Sequence, residues 1–362
     1  MDAPKARKPT IKSVAIEAGV SIATVSAVVN GASWVPEGTR LRVEAAVTRL
    51  GYRPNRLARG LKTNQSYTVG VIVSDITNPF FTEIVRSLGL TLNRLDRNLV
   101  LCDSDHQFEL GRKNFLMLLE KQVDGIVLIG DTVKDELLAE HIAATGSAPV
   151  IAIERDYDLP DVSRFLVDAR RGAREATRHL LEQGYERLAM ISGPSEGPGS
   201  TTFSRTETIE GFTSELLARG FDVDPKMIVA GNYRYDGGRE AMEILLGRTH
   251  APDAVFVDND LMALGAMQVA REHGLHIPKD LGIVGFDDIP GAALASIPLT
   301  TLSVPRAEIG EAIANHLLDR IADPETCPPV RRFFKTRLVV RMSSTRLRDQ
   351  RSKSQTSMMK QE

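Results

Sequence analysis

A small all-α head carrying a helix-turn-helix, followed by a large α/β body, is the fold this 362-residue chain predicts. Three observations predict it. Residues 10–31 read as two short amphipathic helices joined by one glycine. The first sixty-odd residues are basic while the rest is acidic. From about residue 69 onward, short continuous apolar runs alternate with helix-length amphipathic segments.

In the head, Thr10 is placed to cap a first helix that carries Ile11, Val14, Ala15 and Ala18 on one face. Gly19 supplies the left-handed conformation that ends it. Ser21 caps a second helix whose Val25, Val28 and Val29 point back at the first, and Asn30-Gly31 closes it. A small residue at 15 lets the helices cross closely, glycine makes the turn, and a branched apolar residue at 25 locks the corner. That geometry fits the major groove of DNA; an ordinary helical hairpin in a core is the plain alternative. Residues 36–51 read as a third amphipathic helix, with Leu41, Val43, Val47 and Leu50 inward and Gly51 at its end. Up to Lys62, eleven basic residues stand against four acidic ones, about +7. The whole chain is −2, so the remainder is about −9. Such asymmetry fits a basic head that meets phosphate and an acidic body that avoids it.

In the body, strands are expected at 69–73, 99–102, 125–129, 149–153, 165–167, 187–192, 227–230, 254–258, 282–286 and 300–304. Helices are expected at 80–95, 109–121, 171–183, 208–219, 238–246, 261–273 and 306–321. Buried parallel strands with covering helices explain the alternation, and the strand count fits two sheets better than one. Strand C-termini and the loops after them would then line a ligand cleft.

Other classes are disfavoured. At 42% hydrophobic with no long apolar run, the chain offers large cores and no membrane span. The basic stretch MDAPKARKPT has no apolar segment behind it, so no secretory signal is read and a reducing cytosol is expected. Cys102 and Cys327 suggest neither a zinc site nor a disulfide framework, and seven histidines show no metal spacing. Gly193-Pro194-Ser195-Glu196-Gly197 matches GxSxG after a strand, but Pro198-Gly199-Ser200-Thr201-Thr202 cannot start the helix a nucleophile elbow needs. No strand is followed by GxGxxG. The reading is therefore a protein that is not an enzyme, with no cofactor and no metal.

Thr10-Ile11-Lys12, Val14-Ala15, Ala18-Gly19-Val20-Ser21, Thr24-Val25-Ser26, Val29-Asn30 and Gly51-Tyr52-Arg53-Pro54-Asn55 with Ala58-Arg59 and Leu61 form a set of motifs by which the head resembles the LacI/GalR family of transcriptional regulators. It continues through Val69-Gly70-Val71-Ile72-Val73, Asn78-Pro79-Phe80-Phe81, Val123-Asp124-Gly125-Ile126, Asn259-Asp260 and Gly285-Phe286-Asp287-Asp288. Pro298-Leu299-Thr300-Thr301 and Leu338-Val339-Val340-Arg341 extend it to about residue 345. The resemblance implies a body of two doubly wound lobes of the periplasmic-binding-protein type I kind, with the chain crossing between them near 168, 290 and 330. It divides the chain into a head at 1–53, a hinge helix and linker at 54–67, the effector-binding and dimerisation body at 68–342, and a disordered tail at 343–362.

For DNA, the resemblance points to Ile22, Ala23 and Ala27 as base-reading positions. These side chains can meet thymine methyls but cannot form bidentate hydrogen bonds to guanine or adenine. Ser21, Thr24, Ser26 and Asn30 are suited to phosphates. Arg59, Leu61 and Lys62 fall in the hinge, a segment too short to be helical alone and expected to fold when paired with its dimer mate in the minor groove, Leu61 acting as a wedge. Ser13 stands where the family usually has Asp, which should slightly weaken the first helix, and Ser33 replaces an Arg of some relatives. For the effector, the resemblance places Phe80, Phe81, Arg155, Tyr233, Asn259, Asp260 and Asp287 around the cleft, with Arg205 as a further candidate. Aromatic faces can stack on a sugar ring while carboxylates and amides meet its hydroxyls. Two departures stand out: Thr208 occupies the place of an effector-contacting Arg, and Glu154 stands where Asp is common. The implied partners are a palindromic duplex, a sugar or sugar acid, and a second copy of the chain. A transport solute-binding protein, or a DNA-binding protein without effector control, is the alternative.

Overall fold

The computed structural model describes residues 9–52, 65–144, 148–196 and 203–346. They form two compact units, residues 1–66 and 67–362.

The first unit holds α1 (Ile11–Ala18), α2 (Ile22–Val29) and α3 (Glu37–Leu50). Thr10 Oγ1 accepts from the Ser13 N–H, and Ser13 Oγ accepts from the Thr10 N–H, each at 3.3 Å. Ser13 thus completes a reciprocal cap with its hydroxyl, so the expected weakness at this position is offset. Gly19 ends α1 at φ 64°, and α2 leaves at 104° to α1, the bend of a helix-turn-helix. Val14, Ala15, Ala18, Val25, Val28, Val35, Val43 and Ala46 form a core of small side chains. The expectation for α3 is corrected at one position: Leu41 is 59% exposed, and Ala46 takes the buried place. Val43, Ala46, Val47 and Leu50 follow the 3, 4, 7 spacing of one helical face, and Leu41 lies off it.

The second unit contains two six-stranded sheets. The first is built from β1 (Thr68–Val73), β2 (Asn98–Asp103), β3 (Gly125–Ile129), β4 (Val150–Ile153), β5 (Ser163–Val167) and, from late in the chain, β11 (Arg331–Phe334). Its order is β11-β5-β4-β3-β1-β2, all parallel. The second is built from β6 (Leu188–Ser192), β7 (Ile228–Ala230), β8 (Ala254–Val257), β9 (Gly282–Asp287), β10 (Thr300–Ser303) and β12 (Arg337–Val339). Its order is β12-β10-β9-β8-β6-β7, parallel except for β12 against β10. The central strands are apolar up to their C-terminal ends, where β6 closes on Ser192 and β9 on Asp287, because helices cover both faces: every residue of β3, β4, β6, β8 and β9 is buried.

The covering helices of the first lobe are α4 (Pro79–Arg94), α5 (Phe108–Glu120) and α6 (Asp135–Ala143). Those of the second are α7 (Ala169–Glu182), α8 (Phe203–Ala218), α9 (Tyr235–Leu246), α10 (Asp260–Glu272) and the short α11 (Pro290–Leu294). The chain first passes between lobes at Asp168, as the resemblance implies. The second passage differs from the expected 290, because α11 stays with the second lobe and β10 still pairs with β9. It falls after Ser303, where α12 (Arg306–Ala322) returns to pack on α4. Ser87 Oγ there donates to the Ala307 carbonyl at 2.7 Å, and Arg306 pairs with Glu83 at 2.5 Å. The third passage lies between Phe334 and Arg337 rather than near 330.

The packed chain also runs past 343, where a tail was expected to begin. Ser343 and Ser344 are fully buried. Ser343 Oγ accepts from the Thr300 N–H at 2.8 Å and donates to the Ile283 carbonyl at 2.6 Å, locking the chain against β9 and β10. Among the described residues, no single helix is long and apolar enough to cross a membrane.

Candidate functional site

In the first unit, the exposed turn of α2 consists of Ser21, Ile22 and Ala23, with Ile22 44% exposed. Thr24, Ser26 and Ala27 are half-buried, Ala27 leaning on the head core, and Asn30 is exposed. The polar groups here are satisfied locally. Ser21 Oγ accepts from the Thr24 N–H at 3.0 Å, and Asn30 Nδ2 donates to the Ser26 carbonyl at 2.8 Å. No acidic residue sits in the first turn, so the positive end of the helix dipole is unopposed from within α2. Arg40 and Arg49 are engaged in the fold, Arg40 Nη2 donating to the Ala32 carbonyl at 2.7 Å and Arg49 pairing with Glu17 at 2.6 Å. Arg59, Leu61 and Lys62 lie outside the described residues.

In the second unit, a pocket of about 600 Å³, open to solvent, lies among the loops that leave the C-terminal ends of strands in both sheets. From the first sheet come Ser74 after β1, His106 after β2, Gly130 and Asp131 after β3, and Glu154 after β4. From the second come Tyr233 after β7, Asp258 and Asn259 after β8, and Phe286 and Asp287 at the end of β9. Asn78, Phe80, Phe81 and Ser204 complete the lining from the starts of α4 and α8. Ligand sites of open α/β sheets form at such strand ends.

Local chemistry holds these groups in place. Asn78 Oδ1 caps α4 by accepting from the Phe80 N–H at 3.0 Å, and Pro79 fits the first helical position. The Phe80 and Phe81 rings meet edge to face at 5.3 Å. Asn259 lines the pocket, but its amide is occupied, accepting from the Met262 N–H at 2.9 Å and donating to the Tyr233 carbonyl at 2.8 Å. Gly193 is required beneath Tyr233, since a Cβ there would come within 2.1 Å of the phenol oxygen. Backbone strain gathers at this place. His106, Glu154, Tyr233 and Asp287 all have positive φ, of 54°, 64°, 63° and 108°.

Three of the eight expected effector residues do not line the pocket. Asp260 is buried behind it, accepting from Thr301 Oγ1 at 2.6 Å and from the Ile289 N–H at 2.9 Å. It ties α10 to β10 and fixes the segment that carries Asp287. Arg155 turns to Asp131 and Asp135 and stacks on Tyr157 at 4.7 Å. Arg205 donates Nε to the Gly193 carbonyl at 3.2 Å, beside Asp258. Ser74, Asn78, His106, Gly130, Asp131, Glu154, Ser204, Asp258 and Phe286 line the pocket without having been assigned to it from sequence. Most sit one to three residues past the end of an apolar run, which is the signal that could have found them.

Three carboxyls of the pocket, Glu154, Asp258 and Asp287, are shifted upward. Burial pushes Glu154 up to about 7, with Asp258 adding to the rise and the Ser204 hydroxyl opposing it. Burial also raises Asp258 and, well above the usual range, Asp287, which is raised further by Asp260, Glu154 and Asp258. Asp260 is pushed up to about 7, again by burial. Glu154 Oε1, Asp258 Oδ1 and His106 Nε2 are buried with no hydrogen-bond partner among the described residues. Ser195 of the GxSxG match is exposed, and residues 197–202, which the elbow would need as a helix start, lie outside the described residues.

A helix-turn-helix head joined to a two-lobed α/β body with a pocket at the strand ends defines a ligand-responsive DNA-binding regulator. Residues 10–55 match the model of bacterial regulatory proteins of the lacI family. Residues 66–337 match that of periplasmic binding proteins and the sugar-binding domain of the LacI family. The chain is 37% identical over 322 residues to catabolite control protein A of Priestia megaterium, covering 88% of this chain and 93% of that protein. A transcriptional regulator CelR–cellobiose complex matches at 34% identity and TM-score 0.69, covering 92% of this chain and 99% of that one. The Lac repressor dimer bound to operator and the anti-inducer ONPF matches at 27% identity and TM-score 0.83, covering 94% and 100%. The chain belongs to the LacI family of transcriptional regulators, proteins that bind DNA through the head.

Proposed function

We propose that this chain is a cytoplasmic repressor that binds a two-fold-symmetric operator as a homodimer and is controlled by a small polyhydroxylated metabolite in the interlobe pocket. The carrying observation is that loops from both sheets build one pocket, so a ligand there is bound by both lobes at once and senses their relative placement. Phe81 and Tyr233 offer faces to the apolar side of a sugar ring, and Asp287 offers acceptors to its hydroxyls. On the DNA side, Ile22, Ala23 and Ala27 meet thymine methyls, while Ser21, Thr24, Ser26 and Asn30 hold phosphates. Arg59, Leu61 and Lys62 serve the minor groove, Leu61 as the wedge. The relatives are regulators, not enzymes, and nothing in the pocket requires a catalytic role.

The test is selection of duplexes from a random pool by the full chain, followed by titration of the winner. The expected product is a palindrome with half-sites about one helical turn apart, bound by two chains, with affinity falling steeply between about 50 and 200 mM salt. Failure to enrich any dyad-symmetric sequence, or binding by a single chain, would overturn the reading.

A further inference from the structure

We propose that the effector carries a protonated amine, being an aminated carbohydrate held between the carboxylates of Glu154 and Asp258. This deepens the effector-site reading above and rests on it. Both side chains line the pocket and are less than one-tenth exposed, at 8% and 6%. Each has one oxygen satisfied by the protein: Ser204 Oγ donates to Glu154 Oε2, and the Gly193 N–H donates to Asp258 Oδ2 at 3.0 Å. Glu154 Oε1 finds no donor among the described residues, and Asp258 Oδ1 has near it only the Thr208 hydroxyl, which already donates to the Arg205 carbonyl. An ionised carboxylate only accepts, and leaving it buried without a donor is costly. The ligand must therefore bring donors to this end of the pocket.

Charge decides which donors. A third carboxyl, Asp287, lines the same pocket, and no hydrogen bond to its side chain is found among the described residues. Most of the cations around these three groups are engaged by other partners, although Asp258 feels Arg205 and Asp287 feels Arg306. Arg155 pairs with Asp131 and Asp135, and Arg306 with Glu83 and the carbonyls of Asp287 and Asp288. Arg234 serves Asp105 and Asp75. Arg205 is the one guanidinium felt by Asp258, and its Nε is held by the Gly193 carbonyl. Thr208, where an arginine would have neutralised this corner, is fully buried and donates to the Arg205 carbonyl at 3.0 Å. Acceptors are thus in surplus, and ionising the three carboxyls is resisted by burial and by one another. A ligand carboxylate would add to that repulsion, whereas an ammonium that takes the proton's place relieves it. The rings of Phe80, Phe81, Tyr233 and Phe286 add faces that attract a cation and cover the apolar side of a pyranose. No three of the described His, Cys, Asp and Glu side chains converge to hold a metal ion, which leaves an organic cation.

The test is calorimetry on the full chain with matched series: glucose, glucosamine and glucuronate, and the same trio built on galactose and on mannose. The expected result is that an amino sugar binds about tenfold or more tightly than its neutral twin, with no heat from the uronate. The isosteric double variant Glu154→Gln, Asp258→Asn should lose that preference while still binding operator, which shows that it folds. A neutral sugar or uronate binding as well as its amino twin would overturn the proposal. So would an amine preference that survives in the double variant, or no binding by any amino sugar at about 10 mM. A neutral sugar that binds and shifts operator affinity would leave the effector-site reading standing without the charge assignment. An amino sugar that binds and leaves operator affinity unchanged would do the reverse.

Discussion

The α2 surface and the interlobe pocket solve recognition in opposite ways. On α2, polar side chains are spent on their own backbone, Ser21 on Thr24 and Asn30 on Ser26, in positions water can reach. In the pocket, carboxyls are buried, raised in pKa and partly without partners, on backbone held at positive φ. Duplex DNA brings a dense array of charge and a fixed groove, so its reader needs shape and a basic field more than stored strain. A small metabolite brings few atoms, so each contact must be prepared in advance. The difference teaches that the body is tuned for sensing at the expense of its own stability, whereas the head is not.

The largest expected effect that sharpens this contrast is with pH. Folded Glu154 keeps its proton up to about 7, whereas the unfolded chain releases it near the ordinary glutamate value of 4.5. The folded state therefore binds more protons across that interval, and body stability falls as pH rises through it, by about 3 kcal/mol from Glu154 alone. Asp260 acts in the same direction. The described head has no buried ionisable side chain, so its unfolding should move less. Denaturant titrations at several pH values, followed separately for each unit, check this; a body as insensitive as the head would break the contrast.

Next in size is Asp260→Ala, which leaves the Ile289 N–H and Thr301 hydroxyl without their acceptor inside the body. A loss of about 2–3 kcal/mol is expected. Ligand affinity should also fall, because the segment carrying Asp287 is released; calorimetry alongside denaturation reads both. Smallest is Ser21→Ala. It removes the α2 cap where water can replace it and should cost the head about 1 kcal/mol, leaving the body transition in place.

Much of this was legible in the sequence because it rests on local pattern. The apolar runs at β1, β3 and β9 announced themselves, as did the glycine turn at Gly19. What was not legible rests on tertiary geometry. β11 and β12 were missed because Arg331-Arg332-Phe333-Phe334 and Arg337-Leu338-Val339 are short, charged edge strands without a buried run. α6 was missed because Asp135–Ala143 is short and has only Leu138 and His141 buried. Asn259 and Asp260 are adjacent and were read as a pair, yet one lines the pocket and the other faces away into the β10 contact. Asp258, a residue earlier, sits in the lining because β8 ends at Val257. The balance of charge in the pocket was hidden for a similar reason. Which carboxyls lack a counter-charge depends on where Arg155, Arg205 and Arg306 turn, and no spacing rule contains that.

The most direct measurement is operator affinity by fluorescence anisotropy with and without a saturating pocket ligand, on the same full-length protein. Differential binding to two arrangements of the lobes should change operator affinity by about 5- to 150-fold, corresponding to about 1–3 kcal/mol of coupling. By reciprocity, operator should change ligand affinity by the same factor. Identical operator affinity in both conditions, with ligand shown to be bound, would contradict the account.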